Sequence, residues 1–190
     1  MVLADASSSQ NDNFHFRYTK RSLRCGRFFC FIMAEEDFTP NVKLAIEAAA
    51  RSLGRCEQCR FSLEQKLIKK EFDDETIRRA LDYLESKKYL DDERYASSWI
   101  RCQCSIRPRG SIRLVRDLCA RGVARNIALD AVKEYFETVD EVDMCRLALK
   151  KMTSKNKSDK NLMKSLADKG FSYKIIQKVL KESKVGENAS

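Results

Sequence analysis

Apolar residues recur along this chain with a period of about 50 residues. Each copy of the pattern has two leucines four residues apart, an apolar residue five positions later, and another nine positions beyond that. The three sets are Leu63, Leu67, Phe72 and Leu81; Leu114, Leu118, Val123 and Val132; and Leu162, Leu166, Phe171 and Leu180. Side chains four positions apart share one face of an α-helix. Because a two-helix repeat is shorter than this period, we expect three short helices in each copy.

Start and stop signals divide each copy into its predicted helices. Gly122 and Gly170 follow the second helices of the second and third copies, where a left-handed glycine commonly ends a helix. Glu71 stands at that position in the first copy, and its Cβ argues against a left-handed residue there. The predicted helices are 41–54, 57–70 and 73–87, then 92–104, 110–120 and 124–137, then 140–152, 157–168 and 172–183.

These helices predict an all-α chain, an elongated array of three tandem three-helix repeats. The repeats are expected at 41–88, 89–138 and 139–184, followed by a tail at 185–190. Residues 1–40 are expected to be a disordered or mis-annotated N-terminal arm, with translation starting at Met1 or at Met33. The arm lacks the leading basic residues and long apolar segment of a secretory signal, so we expect a cytoplasmic protein.

Composition narrows the class of protein. The 190 residues include 37 Lys and Arg, 28 Asp and Glu, six Gly and two Pro, which excludes collagen-like and low-complexity chains. No apolar run approaches the roughly 18 residues that cross a bilayer, so no membrane partner is expected. The net charge of +9 is concentrated late in the chain, where residues 138–190 carry twelve basic and seven acidic side chains.

The basic residues also fall on particular helix faces. On helix 110–120, Arg113 and Arg116 lie opposite a predicted apolar face of Ile112, Val115, Leu118 and Cys119. Basic faces on successive repeats predict a continuous positive strip for nucleic acid or an acidic protein groove, although a single such face is usually only solvated. The candidate binding residues are Arg107, Arg109, Arg113, Arg116, Arg121, Lys160, Lys164, Lys174 and Lys178.

The cysteines offer a different hypothesis. Cys56 and Cys59 form a C-x-x-C motif, and Cys102 and Cys104 a C-x-C motif, so a zinc or redox site is conceivable. Both pairs look helical rather than placed on the tight turns of zinc knuckles, and we expect reduced thiols without a metal or cofactor. The pair Asp91 and Asp92 is read as a helix start rather than a metal site.

An ordered set of motifs carries a family resemblance. The stretch Tyr89-Leu90-Asp91-Asp92-Glu93-Arg94-Tyr95-Ala96, the Arg109-Gly110-Ser111 loop and the Arg121-Gly122-Val123 turn resemble those of the RecX family of recombinase regulators. The segments Leu63-Glu64-Gln65-Lys66-Leu67 and Lys169-Gly170-Phe171 extend the resemblance over about 41–183. Glu71 and Lys88 depart from it, because glycine is common there.

The resemblance implies a non-enzymatic regulator active in DNA repair, recombination and the SOS response. Such a protein would lodge in the groove of the RecA filament on single-stranded DNA. It would mostly inhibit filament growth, ATP hydrolysis, strand exchange and co-protease activity, acting as a monomer with weak backbone contacts to single-stranded or duplex DNA. Consistent with this, the single histidine, His15, lies in the arm, and no G-x-x-x-x-G-K-[ST] loop is present.

A direct DNA-binding module is the alternative. Three-helix units resemble helix-turn-helix domains, with helix 110–120 or 172–183 as the recognition helix. The strip is richer in Lys and Arg than in amides, which favours backbone contact over base reading.

Overall fold

The computed structural model describes residues 38–153 and 159–187, and within those ranges the backbone forms nine α-helices and no strand. The helices are α1 (Pro40–Leu53), α2 (Arg60–Ile68), α3 (Asp74–Ser86), α4 (Asp92–Ile106), α5 (Ser111–Cys119), α6 (Arg125–Thr138), α7 (Glu141–Thr153), α8 (Asp159–Asp168) and α9 (Tyr173–Glu187). The all-α prediction is confirmed. The arm prediction falls almost entirely on residues 1–37, and the tail prediction partly on 188–190, both outside the described residues.

Local side chains fix where several helices begin. Pro40 occupies the first turn of α1, where its missing N–H costs nothing. The Asp73 carboxylate accepts from the Thr76 backbone N–H at 2.9 Å and caps α3. The Asp91 carboxylate accepts from the Arg94 N–H at 2.9 Å and caps α4. The helix starts in the Asp-Asp motif are therefore as predicted.

The most extensive helix contacts lie within three units, which we call repeat 1 (α1–α3), repeat 2 (α4–α6) and repeat 3 (α7–α9). The predicted leucine pairs form their cores, since Leu63, Leu67, Leu114, Leu118 and Leu166 are at most 1% exposed. Phe72 and Leu180, which belong to the same repeated pattern, are only partly buried. The pattern therefore does not by itself predict full burial at these two positions. Repeats 2 and 3 share one apolar cluster, which also includes Cys59, and repeat 1 has its own.

Two backbone hydrogen bonds join repeat 2 to repeat 3. The Gly110 N–H donates to the Lys169 carbonyl at 3.0 Å, and the Ile112 N–H donates to the Gly170 carbonyl at 3.2 Å. A Cβ on Gly110 would lie 2.3 Å from the Gly170 oxygen, and a Cβ on Gly170 would lie 2.2 Å from the Arg113 Cβ. Because Gly170 also has a φ of +89°, this close contact requires glycine.

The junction of repeats 1 and 2 uses the equivalent positions. The Cys59 thiol, at the start of α2, donates to the Arg121 carbonyl at 3.1 Å, and a Cβ on Gly122 would lie 2.3 Å from the Phe61 ring. An acid from the following repeat also accepts from the first N–H of the middle helix in repeats 1 and 2. Asp92 accepts from the Arg60 N–H at 2.8 Å, as Glu141 does from the Ser111 N–H at 2.8 Å.

The backbone conformation of Glu71 differs from the one expected from its side chain. Its φ is +64°, so the first copy ends its second helix with a left-handed residue in spite of the Cβ. The Phe72 N–H donates to the Leu67 carbonyl at 3.4 Å, the same bond that Val123 makes to Leu118 at 3.2 Å. The hydrogen-bonded turn offsets the cost of a left-handed residue. Glu71 is exposed, since no described repeat precedes this turn, and a side chain fits where Gly122 and Gly170 leave no space.

None of the helices in the described ranges combines the length and apolar character needed to cross a membrane.

Candidate binding surface

Three of the predicted binding arginines are bonded to one residue of α5, two to its carboxylate and one to its backbone carbonyl. Arg109 Nη1 lies 2.5 Å and Arg113 Nε 3.0 Å from the carboxylate oxygens of Asp117, whose side chain is only 15% exposed. Arg121 donates from Nη1 to the Asp117 backbone carbonyl at 2.8 Å. These arginines are therefore engaged within repeat 2, because a partly buried carboxylate needs its cationic partners.

Two of these arginines also reach beyond α5. Arg113 Nη1 donates to the Asp168 carbonyl at 3.3 Å, close to the Gly170 turn. The Arg121 guanidinium stacks over the Trp99 ring with its carbon 4.5 Å from the ring centroid. Trp99 on α4 is partly buried against the shared core. Arg113 is therefore held at the junction, whereas Arg116, on the same predicted face of α5, is not.

The remaining predicted cations are exposed. They have no ion pair or side-chain hydrogen bond in the part of the chain that the structure describes, and they are Arg107, Arg116, Lys164, Lys174 and Lys178. Lys174 and Lys178 face away from the buried Ile176 and Val179 on α9. Lys160 belongs to α8, but its side chain lies outside the described residues.

Arg116 and Lys174 lie on the two helices that adjoin the contact between repeats 2 and 3. Arg116 is one helical turn, about 5 Å, along α5 from Arg113, which touches Gly170. Lys174 follows Gly170 by four residues, in the first turn of α9. We call the surface around this contact, formed by Ile112, Arg116, Tyr173 and Lys174, the junction patch.

Two apolar side chains in the junction patch are more than half exposed. Ile112 is 58% and Tyr173 63% exposed. The predicted apolar face of α5 is therefore wrong at Ile112, whose N–H is bonded to the Gly170 carbonyl while its side chain lies outside the core. Sequence reasoning missed this exposure. Phe61, at the equivalent position in the first turn of α2, is likewise 45% exposed.

Comparisons with known proteins identify the family. A model of the first RecX three-helix domain matches residues 45–84, and one of the second RecX three-helix domain matches 91–132. The Regulatory protein RecX of Prosthecochloris aestuarii is 32% identical over 147 residues, covering 75% of this chain and 95% of the relative. This chain belongs to the RecX family.

Other RecX proteins agree with that assignment. The Regulatory protein RecX of Chlorobium limicola is 30% identical over 143 residues, covering 70% of this chain and 87% of the relative. The crystal structure of RecX from Lactobacillus salivarius has a TM-score of 0.69 at 24% identity, covering 76% of this chain and 97% of that structure. At that identity the structural likeness supports the fold alone.

The motif that resembles RecX serves the first junction in this chain. Asp91 caps α4 and Asp92 caps α2. Arg94 donates to the carbonyls of Lys88 and Tyr89 at 3.2 and 3.1 Å and pairs with Glu57. Burial raises the pKa of the Asp92 carboxyl, and the bond from the Arg60 N–H opposes that shift. Asp91 thus caps a helix of its own repeat, and Asp92 joins the two repeats.

The positions and burial of the cysteines differ from those that a zinc or redox site would need. Cys59 is the N-cap of α2 and Cys56 lies in the preceding turn, so the expectation that this pair is helical is wrong. Burial raises the pKa of the Cys59, Cys104 and Cys145 thiols, that of Cys145 to about 11. Buried thiols with raised pKa values are poor nucleophiles. Within residues 38–153 and 159–187, no three His, Cys, Asp or Glu side chains cluster as metal ligands would.

Proposed function

We propose that this RecX-family protein is a non-enzymatic regulator that binds, as a monomer, in the groove of the RecA filament on single-stranded DNA. Bound there, it inhibits filament growth, ATP hydrolysis, strand exchange and co-protease activity. The relatives are named regulatory proteins, and the domain models that match are those of RecX.

The observation that carries the proposal is the separation of the basic residues into two groups. Arg109, Arg113 and Arg121 are engaged with Asp117, whereas Arg116 and Lys174 are exposed and unpaired beside the contact between repeats 2 and 3. Exposed cations without a carboxylate partner give a positive potential that attracts an acidic surface. A stack of repeats also offers an extended surface suited to a filament groove.

The decisive experiment reverses only the unpaired cations. The double variant Arg116→Glu/Lys174→Glu is expected to raise the concentration needed to inhibit RecA ATP hydrolysis on single-stranded DNA by about tenfold, because rim charges set association and its salt dependence. The control Lys69→Glu/Lys70→Glu makes the same change in net charge at exposed positions of repeat 1 and is expected to inhibit normally. Inhibition by the unmutated protein should weaken as salt rises.

Two results would contradict the proposal. Equal inhibition by the two double variants would show that the unpaired cations are not part of the binding site. Binding of the unmutated protein to a preferred duplex without recombinase would instead favour the helix-turn-helix alternative, in which α5 or α9 reads bases. The structure supports that alternative less, since Arg113 on α5 is already bonded to Asp117 and to the Asp168 carbonyl.

A further inference from the structure

We propose that the junction patch is an anchor for a protein surface, with Ile112 and Tyr173 entering an apolar recess and Arg116 and Lys174 meeting carboxylates around it. The inference rests on the proposed function, because it assigns the patch to the protein component of the filament rather than to its DNA. Its partner is therefore an acidic protein surface with an apolar recess.

The fold does not use these two apolar side chains for its core. On α5, Leu114 and Leu118 are fully buried, and on α9, Ile176 and Val179 are at most 2% exposed. The inner faces of both helices are thus already occupied. Ile112 and Tyr173 remain 58% and 63% exposed.

The other repeats provide an internal comparison for Tyr173. It stands two positions after Phe171, and the equivalent residues two positions after Val123 and Phe72 are Arg125 and Asp74. Both of those side chains are polar and exposed. Because the repeat tolerates a charge at this position, the architecture does not require an aromatic residue there.

The backbone holds the patch in a defined geometry. The Ile112 N–H is bonded to the Gly170 carbonyl at 3.2 Å, and the Gly110 N–H to the Lys169 carbonyl at 3.0 Å. The glycines at both sides of this contact let the two chain segments approach so closely that an added Cβ would overlap the facing backbone. Side chains presented on a fixed backbone lose little entropy on binding, which favours affinity.

The chemistry of the patch favours protein over nucleic acid. Contacts to phosphates come from cations and hydrogen-bond donors, and an isoleucine side chain supplies neither. Aromatic residues and arginine, by contrast, are enriched where protein interfaces derive most of their binding energy. The unpaired cations beside the apolar pair then select an acidic partner.

The test compares two double variants of the full-length chain. Ile112→Ser/Tyr173→Ser removes the apolar pair, and Leu44→Ser/Leu129→Ser removes two other exposed apolar side chains, 54% and 46% exposed on α1 and α6. Binding is measured to preformed RecA filaments on single-stranded DNA and, separately, to the same DNA without RecA. Thermal melting by circular dichroism verifies that both variants fold.

We expect the junction variant to bind filaments at least about tenfold more weakly, as loss of hot-spot residues does, and to keep the affinity of the unmutated protein for free DNA. The control variant should match the unmutated protein in both assays. Filament binding by the junction variant at the unmutated level would overturn the anchor, and so would a selective loss of free-DNA binding, which would assign the patch to base stacking. If the unmutated protein itself fails to bind filaments, the proposed function fails, a result distinct from failure of the anchor.

Discussion

Replacing Gly170 by alanine tests the contact that positions the candidate surface. Two costs follow from the structure. Alanine at a φ of +89° loses about 1–2 kcal/mol because its Cβ crowds the backbone. The same Cβ would lie 2.2 Å from the Arg113 Cβ and 2.3 Å from the Arg113 nitrogen, and overpacking of this kind costs about 1–3 kcal/mol.

One effect opposes those costs. Alanine restricts the unfolded chain and thereby stabilises the folded state by about 0.4–1 kcal/mol. The net expectation is a loss of about 1–5 kcal/mol, since the clash is with the backbone of a helix. Gly54→Ala is the matched control, because Gly54 has a φ of −63° that alanine adopts freely. That variant should be slightly more stable than the unmutated protein.

Two measurements check the prediction. Urea unfolding followed by circular dichroism gives the free energy of unfolding of each variant. Hydrogen exchange of the Gly110 and Ile112 amides reports the junction itself, since these N–H groups donate to Lys169 and Gly170. The reasoning would be refuted if Gly170→Ala were as stable as Gly54→Ala, or if the two amides kept their protection.

Two further predictions concern the core. Leu118→Ala should lower the free energy of unfolding by about 2–5 kcal/mol because Leu118 is fully buried. A loss below about 0.5 kcal/mol in urea unfolding would show that Leu118 does not belong to the core. Burial, with Glu141 nearby, raises the pKa of Cys145 from 9.0 to about 11, so the folded state keeps a proton that the unfolded state releases. Stability should therefore fall as pH rises from about 9 through about 11, and urea midpoints of Cys145→Ala should fall less over that range. Equal slopes for the two proteins would contradict that assignment.

The sequence alone determined the helices and most of their cores. Leucine pairs such as Leu114 and Leu118 lie four positions apart, and caps such as Asp73 act on an N–H three positions later. These are local relations, governed by the geometry of a single helix, so spacing along the chain reveals them. The family resemblance rests on the same local motifs in their order.

Only the tertiary structure decided which residues of the predicted strip are available to a partner. Arg113 and Arg116 look alike on a helical projection, yet Arg113 bonds the carbonyl of Asp168, 55 residues away, and Arg116 bonds nothing within the described ranges. Ile112 was expected inside and lies outside, because its backbone contacts the turn at Gly170. The Arg113–Asp117 pair joins positions four apart on one helix and is a local relation. The bond from Arg113 to Asp168 and the exposure of Ile112 depend instead on distances between segments remote in sequence, which residue type and local spacing do not specify.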